Sequence, residues 1–173
     1  ISKAVSYIIR TPENQEKEVF RLKYISAGSL ATPELSVEQA FEEIIHFAQV
    51  SKNGALYAKN AINEADTDRF EEYREKLVKH EEISDRIEYE IASFLNGVSS
   101  EEISESTSAK IKAMYKIIGE LESLGDSGET ISRILSRKNI HKKSFDAETM
   151  KNLNSMADAV CEAYDVMIAN LQA

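Results

Sequence analysis

ELESLGDSGETI, Glu120 to Ile131, places three acids beside apolar residues within a long helical pattern and includes two glycines. Each glycine inside a helix costs about 1 kcal/mol relative to alanine, so the stretch needs a compensating reason for its composition. A helix turns by about 100° per residue; with Ile118 as zero, Glu122 falls at about +40°, Asp126 at about +80° and Glu129 at about +20°. All three border the face that Ile118, Leu121 and Gly125 turn inward. With Leu77 as zero, Glu81, Asp85 and Glu88 fall at the same three angles. The chain therefore carries one pattern twice, EEISDRIE at 81–88 and ESLGDSGE at 122–129, each reading E-x-x-small-D-x-x-E with Ser84 and Gly125 at the small position. Two such segments joined by a turn near Asn96–Ser100 predict a pair of antiparallel helices with their acids facing one another.

The rest of the chain extends this pairing into a bundle. Its two prolines, Pro12 and Pro33, both precede Ser36, so the remainder is free of the strongest helix breaker. A capping box at Ser36 and Gln39 opens a first helix, with Val37, Phe41, Ile44, Ala48, Ser51, Ala55, Ala58 and Ile62 on one face to about Glu64. Asp66, Thr67 and Asp68 offer caps for a second helix, which Asn96-Gly97 ends. Ser99 and Glu102 form another capping box for the third, which runs to the basic stretch RILSRKNIHKK, where cations offset the negative end of the helix. Ser144 or Asp146 caps a fourth, with Met150, Leu153, Ala157, Val160, Tyr164, Met167 and Leu171 inward and Asp158, Glu162 and Asp165 outward. Short connections between long amphipathic helices predict an all-α fold, an up-down antiparallel helical bundle over residues 36–173. Residues 1–35 read as a separate N-terminal segment in which EVFRLKYIS is either extended or a short helix.

Charge narrows the function classes. Thirty acids against 21 bases give a net charge of −9, which leaves no footprint for nucleic acid and favours cations as small partners. No run reaches the roughly 20 apolar residues of a membrane span, so direct membrane insertion is not expected. An opening isoleucine and a finish in helical phase, MIANLQA, read as a piece of a longer protein. Cys161 is the single cysteine and has no intrachain partner for a disulfide.

The paired acids carry the chemistry. Ionised carboxylates beside a core face are costly unless partnered, and Arg86, the base within these segments, lies on the far side of its helix. A cation is the economical partner: oxygen ligands suit Mg, Ca and Mn, and Fe or Zn also accept carboxylates. Other constellations are thin. The one Glu-x-x-His pair, Glu43 and His46, points away from the Ile44 stripe, and a carboxylate-bridged di-metal oxidase needs two such pairs facing inward. His80 lies near the second helix's stripe, where a hydrogen-bonded core or edge histidine is a commoner reading than a ligand. No phosphate loop, CxxC pair or nucleophile elbow occurs, so no enzyme activity is expected.

With these residues in view, EEISD at 81–85 and ESLGD at 122–126 resemble the paired E(D)-x-x-x-D motifs of the PhoU family. The closer resemblance is to the PhoU-like C-terminal domain of bacterial sodium/phosphate cotransporters. LATPELSVEQAFEEI is similar to the approach to the first helix of that domain, and the resemblance covers about Leu30 to Leu171. Ser123 stands where the family has arginine, Glu129 where asparagine is frequent, and one three-helix repeat plus a fourth helix is present where two repeats are usual. The resemblance implies a non-catalytic regulatory domain on the cytoplasmic face of the bacterial inner membrane, binding metal ions and working with a transporter membrane domain in cis. Homo-oligomers are a further expected partner. Carried over by position, Glu81, Asp85, Glu122 and Asp126 would be the ligands; Glu88 and Glu129 join them on angle alone. The competing expectation is a helical protein–protein interaction module of PhoU type, regulating phosphate signalling without metal.

Overall fold

The computed structural model describes residues 22–25 and 32–173. Four helices account for nearly all of them: α1 (Pro33–Asn63), α2 (Thr67–Ser99), α3 (Glu105–Ile140) and α4 (Ala147–Gln172). Apart from Leu22–Ile25, the expectations for residues 1–31 fall outside the described residues.

Helix starts follow side-chain caps, two of them at different residues from those expected. Thr32 caps α1, its hydroxyl accepting from Leu35 N at 3.4 Å, with Pro33 in the first turn, where a missing N–H is no loss. The helix thus begins a turn before the Ser36–Gln39 box, and Ser36 is buried inside it. Asp66 caps α2 by accepting from Arg69 N at 3.0 Å, and Asp146 caps α4 by accepting from Thr149 N at 2.7 Å. Asn96-Gly97 does not end α2, which continues to Ser99. Ser99 is not a cap: its hydroxyl donates to Leu95 O, one turn back, at 2.9 Å. Ser104 caps α3 instead, accepting from Thr107 N at 3.1 Å. At the end of α3 the carbonyls of Arg137, Lys138 and Asn139 accept from the following main chain, a turn that puts Lys142 at φ 50°.

The bundle is organised around α1, which packs against α2, α3 and α4, while α2 and α3 also pack together. Val37, Ala40, Ile44, Phe47 and Ala48 of α1 meet Ile87, Ile91 and Leu95 of α2 and Ile111, Met114, Ile118 and Leu121 of α3 in the main core cluster. A smaller cluster of Ala58, Ala61, Phe70, Leu77 and Leu135 closes the other end. Because α1 is enclosed on several sides, its buried residues spread well beyond one stripe. Glu43 is one of them, with 0% exposure, which corrects its expected outward position. A helical wheel centred on Ile44 assumes one buried face, and α1 has more than one.

Helix α4 lies on α1 alone. The pairs Ser51–Tyr164, Lys59–Asp158 and Asn63–Asn154 descend along α4 as they climb α1, so the two helices are antiparallel. Tyr164 is the one buried residue of α4; Met156 and Val166 remain 67% and 55% exposed. No helix among the described residues is long and apolar enough to cross a membrane.

Candidate metal centre

The site begins at a close contact between α2 and α3. Ser84 is fully buried, and a Cβ added to Gly125 would stand 2.9 Å from the Ser84 hydroxyl oxygen and 3.1 Å from its Cβ. Any larger residue at 125 would force the helices apart. The expected reason for a glycine here is therefore found: it permits a close approach that a side chain would block. Ser84 Oγ has no hydrogen-bond partner among the described residues, although a serine inside a helix commonly bonds the carbonyl four residues back.

Beside this contact the two motifs bring their central acids together. Carboxylate oxygens of Glu81, Asp85 and Asp126 lie within 4.8 Å of one another. Two oxygens on opposite sides of one ion are separated by about twice the bond length, roughly 4.1 Å for Mg and up to about 5 Å for Ca. The spacing therefore admits a cation between them. With carboxylates alone and no histidine or cysteine, this donor set suits a hard ion.

Glu122, Glu88 and Glu129 stand outside that close group but belong to the same electrostatic field. The Glu81 carboxyl is pushed up from its ordinary value, first by partial burial and then by Asp85, Asp126 and Glu129. Glu122 is likewise pushed up by burial and by Asp126 and Asp85, with the Ser123 hydroxyl acting in the opposite sense and Glu88 adding to the rise. Each of these two glutamates thus resists ionisation, first because it is partly buried and then because both aspartates are near it. Arg86 pairs with Glu90 at 2.8 Å and is not used by the ridge. Arg133 was missed by the sequence reading: it reaches Glu129 at 3.2 Å, one helical turn away, so that acid is already paired. The i,i+4 spacing of the two residues was the available signal.

His80 serves the packing. His80 is buried, and its Nε2 donates to Val50 O at 2.7 Å, the satisfied core role rather than a ligand's. Burial holds its imidazole below the ordinary value, against the effect of that hydrogen bond. Gly54 makes room for the ring, since a Cβ there would lie 2.6 Å from His80 Cε1. No family model, curated protein or solved structure matches the chain.

Proposed function

We propose that this chain is a non-catalytic, metal-binding regulatory bundle, with divalent cations bound along the ridge between α2 and α3. The convergence of Glu81, Asp85 and Asp126 from two helices at the Ser84–Gly125 contact carries the reading. Mg, Ca and Mn fit this oxygen-only donor set best, with Fe and Zn as further candidates. Glu122 and Glu88 line the same ridge and would hold additional ions or bound water, and Glu129 would join them only by giving up its pair with Arg133. The ion would neutralise acids whose proton affinity is raised by burial and by one another, and so bind α2 to α3 more tightly.

On the resemblance of its two motifs to PhoU-like domains, the bundle serves a sodium-dependent phosphate transporter at the cytoplasmic face of the bacterial inner membrane. Its role there is control of phosphate uptake in contact with the membrane part. Elemental analysis and calorimetric titration with Mn, on protein purified without a metal-affinity tag, test the site. Binding that is lost in Asp85→Asn/Asp126→Asn supports it, and equally negligible binding in both proteins removes it.

A second reading, a metal-free interaction module, draws on the apolar groove that Leu124 and Ile131 of α3 form with Leu153, Met156 and Val160 of α4. A thermal midpoint unmoved by Mn, Mg or Ca favours this reading, because a ligand that binds the folded state alone must raise stability.

A further inference from the structure

Glu43 has no exposed surface, and its surroundings are not those of a metal ligand. Its Oε2 accepts the backbone N–H of Lys23 and of Tyr24, each at 2.7 Å, and its Oε1 lies 3.1 Å from Nδ1 of His46, which donates to it. An ionised carboxylate can be buried when donors replace its water, and hydrogen bonds to a charged acceptor are roughly twice as strong as neutral ones. Two of the three donors are main-chain groups from a segment about twenty residues upstream. Lys23 and Tyr24 are exposed, but the Tyr24 ring stands edge-on to His46, 6.3 Å between centroids, with the Lys23 ammonium 5.1 Å from its centre, while Leu22 and Ile25 on either side of them pack against the main core cluster.

Two apolar anchors flank two consecutive N–H groups, so Glu43 recognises main chain, with the Tyr24–His46 ring contact beside it. It is seated well inside α1: Glu43 lies ten residues beyond Pro33, about 15 Å along the axis. We infer that the surface of α1 around Glu43 is a docking site for a bent main-chain segment that turns two consecutive N–H groups to one side, filled in cis by Leu22–Ile25, and that Glu43 is its latch. Undocking would leave a carboxylate without two of its donors next to Ile44 and Phe47, so the segment and the core close together.

Hydrogen exchange at the Lys23 and Tyr24 amides of the whole chain tests this. Both should be strongly protected in the unsubstituted protein, and Glu43→Gln should lower their protection by about tenfold or more while core amides of α2 and α3 keep theirs. Tyr24→Pro removes one donor, together with the ring contact to His46, and should free the Lys23 amide; Lys23→Ala should leave the Tyr24 amide protected. Exchange at free-peptide rates in the unsubstituted protein overturns the inference, as does undiminished protection in Glu43→Gln. Protection that falls on dilution would assign the docked segment to a second copy and overturn docking in cis.

Discussion

Gly119 and Gly125 lie on the same helix, and alanine at the two positions should act in opposite directions. A Cβ at Gly119 meets nothing within 4 Å, so Gly119→Ala should recover the helix propensity that glycine lacks and stabilise the protein by up to about 1 kcal/mol. At Gly125 the same Cβ arrives 3.1 Å from the Ser84 Cβ, which belongs to a fully buried residue and cannot rotate away. Overpacking of this kind costs about 1–3 kcal/mol, which the propensity gain only partly offsets, so the net effect is a loss of up to about 2 kcal/mol. Urea denaturation followed by circular dichroism measures both variants, and their difference, about 1–3 kcal/mol, isolates the packing cost from the propensity gain. Ser84→Ala should recover part of the loss, since it removes the oxygen at 2.9 Å and leaves the Cβ in place. If Gly125→Ala stabilises as much as Gly119→Ala, α2 and α3 do not meet at this point. The geometry that gathers Glu81, Asp85 and Asp126 would then fail with it.

Acid titration and the attachment of α4 offer two independent checks. Glu81 and Glu122 have folded proton affinities raised above the ordinary value of 4.5, so their stabilising contribution is complete below that pH and lost as pH rises through the raised values. Without metal, Glu81→Gln/Glu122→Gln should therefore melt up to about 3 °C higher than the unsubstituted protein at neutral pH and lose that advantage near about pH 4; parallel melting curves across this range would count against the raised proton affinities. The Tyr164 hydroxyl lies 2.7 Å from the Ser51 hydroxyl, which in turn donates to Leu121 O at 3.3 Å. Tyr164→Phe should cost about 1 kcal/mol and raise amide exchange in α4 about fivefold, with α2 and α3 unaffected; uniform acceleration along the chain would show that α4 is not a separable element.

Much of this fold was legible because the helices follow local rules. Proline is confined to the start, Asp66 and Asp146 cap where their chemistry suggests, and the twin E-x-x-small-D-x-x-E runs place their small residues opposite each other. Angular arithmetic found the seam between α2 and α3, because each turns one main face to its neighbours, although Asp85 and Asp126 stand exposed at its rim. It failed for α1, where three helices and Leu22–Ile25 crowd around the axis, and Glu43 is inside for a reason that no periodicity encodes. Ser99 and Ser104 show a second limit: both are serines with an acid or hydroxyl three residues on, and the path of the chain between α2 and α3 decides which one caps. Within the site, the pattern named six acids. The structure gathers Glu81, Asp85 and Asp126 closely, leaves Glu122 and Glu88 farther along the ridge and pairs Glu129 with Arg133.

The sparse seating of α4 bears on how the protein behaves in concentrated solution. Met156, Val160 and Val166 leave oily surface on a molecule that carries nine excess negative charges. In dilute buffer that charge keeps copies apart, but at physiological ionic strength its reach shrinks to about 8 Å, comparable to the spacing of two packed helices. Added salt therefore acts on α4 from both sides, loosening its exposed ion pairs to α1 and lowering the barrier to contact between its bare flank and another molecule.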